Sequence, residues 1–517
     1  MHHRPSQNGA HHREARLNLP PPPPLARHWW AALAALPVIA MLLRALGFLP
    51  SVIDWDESLY LLQAREWMQG GWPLVAVWDM HPIGAPAMFA AAMQIFGQSI
   101  FAIRLLGVLA VSATGWGLFF AARAMGLPPA TGYAAALFYV GHSVVLGGMP
   151  VNTEILFAPF TTAAIALAIH SACRPMEAPG WGRLCAIGLL VGWALLIKPV
   201  ATPEGCLAFA LLTGPAWWHG RLRLARLLGL AAVYALLCAL PTLGFGLIYA
   251  AMGELDAYLD GTFFAPFRYA QGAAGGDAPW RILGAMTTLL WLFLLAGVGL
   301  VLTRGPARRI GLAWFAAASL AVAAPAQFFP HYFLIWLAPL SLLGAIGAMA
   351  LARRLTPAPP ATLLALLVGV VALDPWRLDT APRLWRGTAL FAPDVPARVA
   401  ALIAEELPPG EAIFVPNYQP VVYFLARAGI PTRFPFPVHL TGAFANLAGN
   451  STDGEVGRIL GTKPRFIVID RGFWGTMRPA AASAIAAALE AGYELAYVFP
   501  DDRNTIELWR LRDPDGG

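Results

Sequence analysis

The chain has 517 residues, of which 58% are hydrophobic and only 12% charged, and its mean hydropathy is +0.59. A soluble chain carries about twice that charged fraction, so the composition points to a polytopic membrane protein. The net charge of +6 does not indicate nucleic acid, because the arginines sit in short clusters between apolar runs, as they do in cytoplasmic loops.

Residues 1–27 are rich in His, Arg and Pro and read as a disordered cytoplasmic tail with solvated histidines, not as a cleavable signal. Eleven apolar stretches follow at 29–49, 100–122, 129–148, 154–171, 183–199, 203–218, 227–250, 283–303, 309–326, 332–351 and 361–376. Each is near the ~20 residues that a bilayer requires. With the N-terminus in the cytoplasm, the inward loops carry Arg123, Arg174, Arg183, Arg221, Arg223, Arg226, Arg304, Arg308, Arg309, Arg353 and Arg354. The outward loops hold only Arg65, Arg268 and Arg281. This bias sets the orientation, and an odd number of spans puts the C-terminus outside. Cys173, Cys185, Cys206 and Cys238 fall in spans or on the inner side, so no disulfide framework is expected.

The outward loops hold the unusual residues. Residues 50–99 are too long for a plain connector and open with Asp54-Trp55-Asp56-Glu57. Leu59, Tyr60, Leu62 and Trp67 suit a short interfacial helix, with Asp56 placed to cap it. Capping does not account for Asp54 and Glu57 beside it. A second amphipathic piece follows Trp78-Asp79-Met80-His81-Pro82. Arg104 lies one turn into the second stretch, Asn152-Thr153-Glu154 opens the fourth, and His331-Tyr332 opens the tenth.

Lysine usage sharpens the pattern. There are two, Lys198 and Lys463, so thirty-three of the 35 basic residues are arginine. Lys198 sits at the outer end of a stretch, against the positive-inside trend; it either snorkels or offers a point charge to a phosphate. Taken singly, these residues have plain readings as caps, belts or surface pairs. Together, Asp54, Asp56, Glu57 and Glu154 fall on one membrane face with Lys198, His81, His331 and Arg104. That clustering favours one extracytoplasmic site for an anionic lipid headgroup.

From 377 to 517 the charged residues return and short β-branched runs alternate with helical patterns. Strands are predicted at 412–415, 466–470, 493–499 and 505–511, and helices at 395–406, 419–428, 454–460 and 480–491. The predicted organisation is a tail (1–27), a transmembrane domain (28–376) and a small extracytoplasmic α/β domain (377–517) acting as a scaffold or lid.

The motif order resembles the GT-C glycosyltransferases, and more narrowly the protein O-mannosyltransferases and lipid A aminoarabinose transferases. The matching segments are Trp55-Asp56-Glu57-Ser58-Leu59-Tyr60 and Asp79-Met80-His81-Pro82-Ile83-Gly84, then Ala102-Ile103-Arg104-Leu105, Asn152-Thr153-Glu154, and His331-Tyr332 with Pro339. His81 stands where relatives often have a lysine, and Ile83 where they have a second proline. The resemblance implies a polyprenyl-phosphate sugar donor, a hydroxyl acceptor on a glycan, lipid or protein, and an inverting single displacement. Asp56 would be the base, with Glu57 orienting it, binding a metal or tuning it, while Tyr60, His81, Arg104, Glu154, Lys198, His331 and Tyr332 would bind substrate; Asp54 has no place in the motif and joins the substrate-binding residues only by its position. It leaves open a divalent cation on Asp56 and Glu154. It also implies a bacterial inner membrane, with no nucleic-acid partner. A secondary transporter or flippase for a lipid-linked or anionic substrate is the alternative, although charges at span ends on one face fit it poorly.

Overall fold

The structure is a computed structural model that describes residues 23–174, 179–271, 277–355, 360–385, 392–445, 447, 452–500 and 504–512. Most of the predicted N-terminal tail, 1–22, lies outside these residues. The chain divides into two compact units.

The first unit comprises residues up to 45, 107–245 and 273–385. Each of the eleven apolar stretches overlaps a helix, although 129–148 outruns the helix Pro129–His142 and 283–303 is broken at Leu289, and five helices are long and apolar enough to cross a membrane: Arg27–Phe48, Ile100–Ala124, Thr153–Ala172, Leu224–Ala251 and Pro330–Leu355. The pair Ala278–Thr288 and Leu290–Leu302, bent by 77°, makes a sixth if it is one span. Leu228, Leu236 and Val301 remain exposed on such helices, as side chains that face acyl chains do.

Small residues set the interior packing of this unit. Leu337–Leu355 is buried along almost its whole length, and Gly347 meets Leu290–Leu302 at Gly299. A Cβ on Gly347 would run into the Leu295 carbonyl, so the two backbones touch because neither carries bulk there.

The second unit comprises 46–106, 246–272 and 386–512 of the described residues. Three antiparallel strands, β1 (Phe466–Asp470), β2 (Tyr493–Pro500) and β3 (Thr505–Leu511), form a sheet in the order β1-β3-β2. The register sets Val468 opposite Leu508 and Glu494 opposite Arg510. β1 is buried at every residue because helices Pro479–Gly492 and Thr452–Gly461 cover one face and Val395–Glu406 the other. The strand predicted at 412–415 is absent: Ala412 and Phe414 form isolated bridges only, to Gly429 and Ile467.

The segment 50–99 belongs to this core. Its two helices are Trp55–Met68 and Gly84–Phe96. Leu62 packs among Val399, Ile403 and Val422, and Trp78 among Phe434, Ile467 and Ile485. Arg65 donates to the carbonyls of Tyr423 (2.8 Å) and Ala428 (3.0 Å), and the Trp78 amide donates to Arg433 O at 2.7 Å. These bonds satisfy backbone groups that would otherwise be buried without partners.

Candidate functional site

In the second unit, the helix Trp55–Met68 begins two residues before the start at Glu57 that a cap at Asp56 implies. Its N-cap is Asp54, whose Oδ1 accepts from the Asp56 amide at 3.1 Å. The capping expected of Asp56 is therefore corrected, since Asp54 already satisfies the donor of that turn. Asp56 and Glu57 occupy the first turn, where the helix dipole favours negative charge. Glu57 is buried and accepts from Arg104 Nη1, a guanidinium only 2% exposed.

Trp55, between the two aspartates, lines a half-open cavity of about 320 Å³ with Phe473, Thr441, Thr476 and Asn417. Its walls are largely spoken for. The Asn417 amide is used by Asp470, and the hydroxyls of Thr441 and Thr476 donate to backbone carbonyls.

A second cluster of the same unit centres on Asp79, which is 1% exposed. Its carboxylate oxygens lie 3.1 and 3.2 Å from His81 Nδ1, and Oδ1 also accepts from the Met80 amide at 2.6 Å. Burial pushes the Asp79 carboxyl up, but the charge and hydrogen bond of His81, with His439 adding to them, bring it below the ordinary range. His439 is buried against Trp78 (4.9 Å between centroids) and Phe436 (5.0 Å). Burial lowers its pKa to about 4, more than Asp79 raises it. Tyr60, buried at 2% exposure, turns ring edges to His81 and Phe89.

In the first unit, Lys198 ends the helix Trp181–Ile197 and precedes the turn Pro199–Ala201. It does not snorkel. Its Nζ donates to Glu154 Oε1 at 2.6 Å and lies 4.4 Å from the centre of the Tyr332 ring. Glu154 Oε2 accepts from Thr153 at 3.0 Å, and His331 packs against Tyr332 at 4.7 Å. Glu154, Lys198, His331 and Tyr332 thus form one cluster around a buried ion pair.

Three groups of consequence escaped the sequence reading. Asp79 was visible as Asp-x-His spacing, but its partner His439 lies far along the chain. Arg44, 3% exposed, donates to the Ser143 carbonyl at 3.0 Å and the Met149 carbonyl at 2.7 Å, fixing the loop that leads to Asn152 and Glu154. Glu204 accepts from the Trp314 indole at 2.6 Å inside the first unit. Among the described residues no group of three or more His, Cys, Asp or Glu is placed to hold a metal ion. Glu154 already has a cation and a hydroxyl on its two oxygens, a poor starting point for a divalent ligand.

A family described as dolichyl-phosphate-mannose-protein mannosyltransferase matches residues 80–245. Over 160 residues the chain is 25% identical to undecaprenyl phosphate-alpha-4-amino-4-deoxy-L-arabinose arabinosyl transferase 1 of Proteus mirabilis (strain HI4320), a match that spans 28% of this chain and 29% of that protein. The structure is similar to ArnT from Cupriavidus metallidurans bound to undecaprenyl phosphate, with a TM-score of 0.63, 15% identity, and coverage of 94% of this chain and 98% of that one. It is also similar to the arabinofuranosyltransferase AftD from Mycobacteria (TM-score 0.53, 16% identity, 95% of this chain and 40% of that one). A third is the oligosaccharyltransferase AglB from Archaeoglobus fulgidus (TM-score 0.52, 12% identity, 93% and 74%).

Proposed function

From its GT-C membrane fold, we propose that the chain is an integral-membrane glycosyltransferase. It moves a sugar from a polyprenyl-phosphate donor to a hydroxyl acceptor on the extracytoplasmic face. The N-terminus is cytoplasmic, the C-terminal domain 377–517 is extracytoplasmic, and the membrane is a bacterial inner membrane. The names of the relatives support transfer over transport, since AftD, AglB and the Proteus protein are all named as transferases.

The observation that carries the reading is the division of labour at the start of the helix Trp55–Met68. Asp54 caps, Glu57 is held by Arg104, and Asp56 stands between them beside the cavity-lining Trp55. An acceptor hydroxyl is a weak nucleophile and needs a positioned base within hydrogen-bond reach. Asp56 takes its proton, while Glu57, neutralised by Arg104, keeps that turn in register. The leaving group at the anomeric carbon is a phosphate, which needs charge neutralisation more than a proton. That phosphate is the polyprenyl phosphate itself, and Lys198, with His81, His331 or Arg104, is assigned to it, while Glu154 and Tyr332 are assigned to substrate binding beside Lys198. Attack opposite the phosphate inverts the anomeric centre.

The test is Asp56→Asn, assayed in vesicles supplied with lipid-linked sugar. Transfer should fall by about 10²-fold or more while insertion and folding are unchanged. A variant that folds and still transfers at the wild-type rate rules out Asp56 as the base.

A further inference from the structure

His81 occupies a place where relatives often carry a lysine, and the proposed reaction gives its neighbour Asp79 no task. Their geometry does. Both Asp79 oxygens lie within 3.2 Å of His81 Nδ1. The carboxylate is itself pinned by the Met80 amide, and a Cβ on Gly261 would come 2.9 Å from the Asp79 carbonyl, so this stretch of backbone is closely packed. A hydrogen bond from one imidazole nitrogen to a carboxylate fixes the tautomer and favours the protonated ring.

We propose that Asp79 is a positioning residue. It keeps the Nδ1–H of His81 on its carboxylate, so that proton gain and loss fall on Nε2 and the donor's phosphate is met by a histidinium whose charge depends on pH. This rests on the transferase reading and narrows it to a proton-coupled phosphate contact. Titratable groups placed against His81 include Asp79 on its own segment, Tyr60 on the helix Trp55–Met68, and His439 on the short helix Pro437–Leu440. His439 is buried against Trp78 and Phe436 and stays neutral, so it adds no second positive charge. A lysine at position 81 would stay charged up to about pH 10. A histidine makes the contact conditional.

The experiment compares wild type, Asp79→Asn and His81→Lys as full-length protein. Farnesyl phosphate binding is measured by calorimetry in detergent, and sugar transfer is measured in vesicles, both from about pH 5 to 9, across the range where histidine titrates. Wild-type binding should weaken with rising pH relative to His81→Lys, which reports the ligand's own ionisation alone. Asp79→Asn should move that midpoint down by about one unit, because the ring loses its anionic partner. Coincident profiles for wild type and His81→Lys overturn the proposal. So does an Asp79→Asn protein that binds less with an unmoved midpoint, the result of a merely structural role. Binding that titrates as expected in a protein that transfers no sugar leaves the Asp79–His81 pair standing and removes the transferase reading instead.

Discussion

The ion pair of the first unit invites a quantitative test. Lys198 Nζ is 2.6 Å from Glu154 Oε1, and the Glu154 side chain is fully buried. At an effective dielectric constant of about 20, two unit charges at that distance attract by about 6 kcal/mol. Desolvating the two ions costs several kcal/mol each, so the intact pair contributes little net stability. Breaking it is another matter. Lys198→Met leaves a buried carboxylate whose neighbours are the Thr153 hydroxyl and His331, and Glu154→Gln leaves a buried ammonium over the Tyr332 ring. Each single change should cost about 3–5 kcal/mol. The double variant removes both charges and should return to within about 1 kcal/mol of wild type. Unfolding in mixed micelles measures the three values as a double-mutant cycle. Vesicle assays of sugar transfer should find all three inactive, so restored folding without restored activity separates structure from chemistry. If the double variant loses the sum of the single losses, the two charges are uncoupled and the argument fails.

Other expectations concern stability at single positions. His439 has a pKa near 4 in the fold against an ordinary 6.5, so the unfolded chain takes up its proton first as pH falls. Its contribution is complete above about pH 6.5 and lost between 6.5 and 4, for a total of about 3 kcal/mol. His439→Leu should flatten the dependence of unfolding on pH across that window, and an unchanged slope would exclude the assignment. Asp54→Ala removes the cap of the helix Trp55–Met68 and should cost about 1 kcal/mol in an unfolding titration, whereas Asp54→Ser should cost less than half of that. Gly347→Leu pushes side-chain bulk into the Leu295 carbonyl and should lower thermal stability in detergent sharply, while Gly369→Leu, where a Cβ meets nothing within 4 Å, should leave it unchanged.

Hydropathy located the apolar helices but not their breaks: it ran 283–303 through the bend at Leu289 and 129–148 past the helix end at His142, because composition does not record where the backbone turns. The start of the loop helix was misplaced by two residues because Asp54 and Asp56 are both good caps, and only the backbone decides between them. The segment 412–415 has strand composition, yet it finds a partner only at Ala412 and at Phe414, so ladder length and not residue type denied it a strand. The separation of Glu154 from Lys198 is 44 residues, and shared polarity on one face was enough to suggest their meeting. Trp78 packing on Phe434 and His439 was beyond sequence reach, since nothing in the first loop announces which distant residues share its core. The same blindness hid Arg44, whose partners are backbone carbonyls that leave no mark on composition.

The buried pairings have a consequence for how an anion would enter. Lys198 is already neutralised by Glu154 and Arg104 by Glu57. A phosphate reaching either of them competes with a resident carboxylate and does not fall into an open positive well. Binding on these terms is an exchange of one anion for another, with a driving force set by the difference between two similar interactions. Such a protein would hold its spent lipid phosphate loosely, and turnover would not wait for a product locked in place by its own charge.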